Sequence, residues 1–156
     1  MSTKDQSLSA PESLPSGKGA VFGIVVARWN TEITETLFEG ARQTLLDNEV
    51  DPKHILRLDV PGSFELPFGA ATLIRRQDMD AVICLGCIIK GETPHNEFIA
   101  HAVANGLTKL SIDNNVPVIF GVLTPNTMDQ AKDRAGGRYG NKGVEAAATA
   151  LQMIRL

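Results

Sequence analysis

A chain of 156 residues and 16.8 kDa fits one domain with a sizeable core. Hydrophobic residues make up 43% and charged residues 21%, an ordinary globular balance that excludes wholesale disorder, while a net charge of −3 argues against a nucleic-acid surface. No apolar run is long enough to cross a bilayer and the first residues lack the apolar core of a secretory signal, so a cytoplasmic location is expected.

Residues 1–18 are rich in Ser, Pro and Gly without hydrophobic periodicity, and read as a flexible tail ahead of one α/β domain at 19–156. Residues 21–27 form an apolar, β-branched run, expected as a buried strand ending at Arg28, Trp29 and Asn30. From Thr31 the period changes. Ile33, Leu37, Ala41 and Leu45 recur every four residues, with Glu32 and Glu35 in the opening turn where the helix dipole favours acids, and this predicts a helix to about Asn48.

Residues 54–60 read as a second strand, followed by a turn at Pro61, Gly62, Ser63, Phe64 and Glu65. Pro67 suits the first turn of a helix running to about Arg76, which leaves residues 62–65 outside it and free to face a ligand. The run 81–86 predicts a third strand buried on both faces. Thr93 is then a suitable N-cap and Pro94 a suitable first helical residue, so His95 falls in the first turn beside unpaired backbone amides. The third helix carries Phe98, Ile99, Ala102, Val103, Leu107 and Leu110 on one predicted stripe.

Residues 116–122 predict a fourth strand, Thr127 with Gln130 a capping box on a short helix ending near Gly136, and 136–140 a loop. A last helix is expected over 141–155 with Val144, Ala148, Leu151 and Ile154 inward. Four alternations of uniformly apolar strand and helix imply a three-layer α/β sandwich, a four-stranded parallel sheet flanked by helices. In such a sheet ligands bind at the strands' C-terminal edge, where the loops 28–30, 61–65, 89–95 and 123–126 should gather.

That edge offers an indole from Trp29, a hydroxyl and a carboxylate from Ser63 and Glu65, a second hydroxyl from Thr93 and an imidazole from His95. A flat heterocycle, a polyol and a phosphate are the matching ligands. Gly86 and Gly91 have P-loop spacing, but Glu92 stands where its lysine is required, and neither G-x-G-x-x-G after the first strand nor G-x-S-x-G occurs. Cys84 and Cys87 form a C-x-x-C, yet on a strand they point to opposite faces and are expected as buried structural thiols with no zinc site to complete.

Five ordered stretches, 24–30 (IVVARWN), 61–67 (PGSFELP), 84–95 (CLGCIIKGETPH), 120–124 (FGVLT) and 133–136 (DRAG) with 140–143 (GNKG), closely resemble the 6,7-dimethyl-8-ribityllumazine synthases. The resemblance covers about residue 20 onward. It implies a flavodoxin-like fold and a transferase of riboflavin biosynthesis that condenses 5-amino-6-(D-ribitylamino)uracil with 3,4-dihydroxy-2-butanone 4-phosphate, without metal or cofactor. By carry-over, Trp29 stacks on the pyrimidine, Ser63 and Glu65 hold the ribityl chain with main-chain help from Phe64, and Ile88 and Ile89 border the ring. Glu92 and Thr93 mark the phosphate subsite with Arg134, His95 resembles the proton shuttle, and Phe120 and Lys142 look like contacts from an adjacent subunit.

Departures from the family pattern are Asn96, where an aromatic residue usually follows the histidine, and Lys90 in place of a common arginine. The resemblance further implies a homo-oligomer, a pentamer that in some members builds a sixty-subunit icosahedral shell, with riboflavin synthase as a candidate enclosed partner. The Gly136-to-Gly140 loop lacks the insertion of members that stop at pentamers, which favours a shell. Two rival readings are a flavodoxin-like flavin-binding module, suited to the fold and the stacking Trp29, and a shell protein with a decayed site, which intact Ser63, Glu65, His95 and Arg134 oppose.

Overall fold

The computed structural model describes residues 13–156. In chain order the elements are β1 (Phe22–Ala27), α1 (Thr31–Asp47), β2 (Ile55–Val60), α2 (Leu66–Arg76), β3 (Ala81–Cys87), α3 (His95–Asn114), β4 (Val118–Leu123), α4 (Met128–Asp133), β5 (Ala135–Gly137), β6 (Gly140–Asn141) and α5 (Lys142–Met153). Strands β2-β1-β3-β4, in that order, make one sheet with every pairing parallel, as the alternation required. No helix of the described residues is long and apolar enough to cross a membrane.

Because side chains alternate across a strand, the sheet feeds two separate apolar layers. Phe22, Ile24, Val26, Ile83, Leu85 and Cys87 face α1 and α5, where Leu37, Leu45 and Leu151 are fully buried. Val25, Ala27, Val82, Cys84 and Val122 face α2 and α3 through Leu66, Leu73, Val103 and Leu107. Each fully buried Leu, Ile or Val contributes about 1.5–3 kcal/mol, so the two layers hold the sheet from both sides. Cys84 and Cys87 accordingly lie in opposite layers, both buried as free thiols.

All four members of the predicted α1 stripe, Ile33, Leu37, Ala41 and Leu45, are buried. The stripe on α3 is narrower than its sequence predicts. On α3 only Val103 and Leu107 are buried, while Phe98 and Ala102 face outward, because the helix packs on one side against a layer already filled by α2. On α5 the inward residues are Gly143, Ala146, Ala147, Ala150 and Leu151, whereas Val144 is exposed. The reason is close approach to α1: a Cβ at Gly143 would lie 1.8 Å from the Leu37 carbonyl oxygen, so the helix turns its small residues that way.

The stretch 136–140 is not a plain loop but part of a small antiparallel hairpin, β5 and β6 joined by a turn at Arg138 and Tyr139. Gly136 and Gly140 take φ of 99° and 81°, which only glycine adopts readily, and the short helix before them stops at Asp133. Asn141 anchors the hairpin, its Nδ2 donating to the Thr36 carbonyl of α1 and its Oδ1 capping α5 through the amides of Gly143 and Val144. Residues 1–12 of the expected tail lie outside the described residues. Within 13–18, Leu14 packs on the α1–α5 layer and the Gly17 amide donates to the Asn48 carbonyl.

Candidate active site

The parallel register brings four strand ends to one edge, Ala27 beside Val60 and Cys87 beside Leu123. The loops leaving these ends stay bonded to one another beyond the sheet. The amide of Arg28 donates to the Val60 carbonyl (2.9 Å), that of Trp29 to Pro61 (3.1 Å), that of Ile88 to Leu123 (2.8 Å) and that of Lys90 to Pro125 (3.0 Å). Backbone bonds of this kind fix where the loops run, so the side chains they carry are displayed on a common rigid rim.

On that rim the Trp29 indole is 74% exposed although its backbone is pinned. Gly62 lies against it: a methyl built there would sit 3.9 Å from Trp29 Cδ1 and 3.1 Å from Glu65 Oε2, so the indole and the carboxylate flank one glycine. Glu65 Oε2 accepts the Gly62 amide at 3.0 Å, while the Glu65 amide donates to the Gly62 carbonyl at 3.2 Å, so the carboxylate folds back over the 3-10 turn Ser63–Glu65 that leads into α2. Ser63 is buried, its Oγ lodged against Gly86 of β3, while Phe64 projects outward.

Next along the rim, Ile88 is buried and Ile89 half-buried, and Glu92, Thr93 and His95 are exposed. The start of α3 differs by one residue from expectation. Pro94, not Thr93, occupies the cap position, and it does so through its carbonyl, which accepts the amides of Glu97 (3.0 Å) and Phe98 (3.4 Å). His95 remains in the first turn, where backbone amides and the dipole favour an anion. Asn96 Oδ1, one residue on, is buried with no hydrogen-bond partner among the described residues.

Nine of the candidate residues, Trp29, Ser63, Phe64, Glu65, Ile88, Ile89, Glu92, Thr93 and His95, thus belong to the loops and helix starts of one edge. The other three stand on different elements. Phe120 pairs with Cys84 in mid-sheet, its ring 38% exposed on the outer strand β4. Arg134 follows α4, its guanidinium 5.1 Å from the Tyr139 ring and its carbonyl accepting the Lys142 amide. Lys142 Nζ lies 2.7 Å from Glu145.

Sequence reasoning missed two residues that shape this rim. Asn30 ties its loop to β3, its Nδ2 donating to the Cys87 carbonyl at 2.9 Å across 57 positions, and Gly86 makes room for Ser63. Neither leaves a local signal, since an asparagine before a helix reads simply as a cap. Burial pushes the Cys87 thiol up to about 11 and Cys84 further still, so neither is a nucleophile near neutral pH.

Residues 19–156 match the family described as 6,7-dimethyl-8-ribityllumazine synthase. Relatives carrying that name include a Cytophaga hutchinsonii protein, 53% identical over 99% of this chain and 98% of its own, and a Porphyromonas gingivalis protein, 52% identical over 93% and 90%. A third, from Parabacteroides distasonis, is 50% identical over 99% of this chain and 98% of its own. Edge loops, sheet and full-length similarity agree, and the chain belongs to the 6,7-dimethyl-8-ribityllumazine synthase family.

Proposed function

We propose that this protein condenses 5-amino-6-(D-ribitylamino)uracil with 3,4-dihydroxy-2-butanone 4-phosphate to form 6,7-dimethyl-8-ribityllumazine, a transferase step of riboflavin biosynthesis. The observation that carries the reading is the bonded rim, which holds an exposed indole, a turn bearing a hydroxyl and a carboxylate, and a helix N-terminus bearing an imidazole at one sheet edge. Trp29 stacks on the pyrimidine, with Ile88 and Ile89 bordering the ring. Ser63, Glu65 and the Phe64 backbone hold the ribityl chain, and Glu92, Thr93 and Arg134 serve the phosphate end.

The 5-amino nitrogen adds to the ketone and water leaves to give an imine. Loss of a proton from the neighbouring carbon expels phosphate. The resulting enol rearranges to a second carbonyl, which the ribitylamino nitrogen attacks, and a final loss of water closes the ring. Every stage moves protons near neutral pH, which suits the imidazole of His95. The reactive carbonyls belong to the substrates, so much of the acceleration comes from holding two partners together.

Phe120 and Lys142, away from the rim of their own chain, act on the rim of a neighbouring subunit in a homo-oligomer. Exposed Trp29, Phe64, Phe68, Phe98 and Phe120 favour assembly, since so many open aromatics invite partners. A pentamer that builds a sixty-subunit shell, in the cytoplasm where free thiols persist, is the form we assign, with riboflavin synthase as its candidate cargo. Sedimentation tests the shell, because a species of only five or ten subunits sinks it. The function is tested by mixing the two substrates with colourless purified protein and following lumazine fluorescence; no product, or a yellow redox-active protein, refutes it in favour of a flavin-binding module.

A further inference from the structure

Asparagine at a helix N-cap ordinarily turns its side chain onto the first-turn amides. Asn30 holds that position before α1, yet makes no side-chain cap bond. It sits instead in the left-handed region at φ 60°, ψ 49°, a conformation that residues with a Cβ adopt at a cost and asparagine tolerates better than most. Its carbonyl accepts the amides of Ile33 and Thr34, so the helix still starts there.

The side chain that forgoes the cap reaches across the sheet. Pairing of β1 with β3 ends at Val26 and Leu85, two residues short of Cys87, and Asn30 Nδ2 supplies a donor to the Cys87 carbonyl at 2.9 Å. Trp29 is thereby held at three points: its own amide on Pro61, the preceding amide of Arg28 on Val60, and the following side chain on Cys87. The first two bonds tie the loop to the β2 side. The Asn30 bond ties it to β3, immediately before Ile88 and Ile89.

We propose that Asn30 is a positioning residue for the pyrimidine site, locking the Trp29 loop onto the end of β3 and so fixing the distance between the indole and the isoleucines across which a flat ring must slide. The proposal rests on the stacking role assigned to Trp29. It explains why a strong cap is set aside and a left-handed conformation kept.

Two variants test it. Asn30→Asp keeps shape and left-handed tolerance but replaces the donor with an acceptor facing a carbonyl; Asn30→Gly keeps the backbone and removes the side chain. Trp29 is the one tryptophan in the chain, so its emission reports on this loop alone. In both variants the anisotropy of Trp29 in ligand-free protein should fall. The KM for the pyrimidine should rise about fivefold to tenfold, the factor set by one lost hydrogen bond, with kcat within about twofold of the parent. A lower melting temperature with unchanged anisotropy and unchanged KM overturns the proposal, because Asn30 would then only shape the start of α1. Should the parent form no lumazine while anisotropy still falls in the variants, the assigned reaction fails and the loop lock stands.

Discussion

Gly86→Ala is the sharpest perturbation of the site that leaves its chemical groups in place. The new Cβ would meet Ser63 Oγ at 2.5 Å, Leu66 Cδ1 at 3.1 Å and Ser63 Cβ at 3.3 Å. The shortest contact is with the end of a rotatable side chain, so the hydroxyl swings away; the other two require shifts of a few tenths of an ångström in a packed layer. Overpacking of that size costs about 1–2 kcal/mol of stability. Rotating the hydroxyl forfeits one substrate hydrogen bond, about 1 kcal/mol or about fivefold in KM for the ribityl substrate. Urea unfolding and steady-state kinetics measure the two separately. The decisive control is the double variant: if Gly86 acts through Ser63, then in a Ser63→Ala background Gly86→Ala should leave KM unchanged. Additive effects on KM would refute the reasoning, as would a single variant with normal KM and normal stability.

His95→Ala should lower kcat by about tenfold to a hundredfold while substrate still binds, since positioning survives the loss of the imidazole; inactivity with binding intact would show that proton transfer dominates. Burial makes Cys84 and Cys87 slow to react, so a thiol reagent at pH 8 should label native protein far more slowly than urea-unfolded protein, and rapid native labelling would contradict their placement. Glu35 is held below the usual carboxylate range by its hydrogen bonds from Arg57, which also engages Asp59. A depressed carboxyl stabilises the fold above its unfolded value near 4.5 and loses that contribution as pH falls through the folded value. Glu35→Gln should therefore flatten the acid limb of stability below about pH 4.5, by less than about 1 kcal/mol because the pair is open to solvent; an unchanged limb in a pH series of urea melts would discount the pair.

Local chemistry determined much of this protein in advance. A four-residue period can only be buried as one helical stripe, hence α1, and the central strands β1 and β3, apolar on both faces, must be covered on both, hence the parallel sheet and a single ligand edge. Motif order along the chain was enough to name the family. What only the tertiary structure decided depends on neighbours distant in sequence. The order β2-β1-β3-β4 and the outward turn of Phe98 are set by how the elements pack on one another. The inward face of α5 follows from the backbone of α1 pressing on Gly143, and the hairpin from Asn141 reaching Thr36. At the site, the bond from Asn30 to Cys87 and the pocket Gly86 leaves for Ser63 join residues far apart in the chain, the first pair separated by 57 positions. No periodicity encodes such pairs, because they are contacts between strand ends that meet only once the sheet has closed.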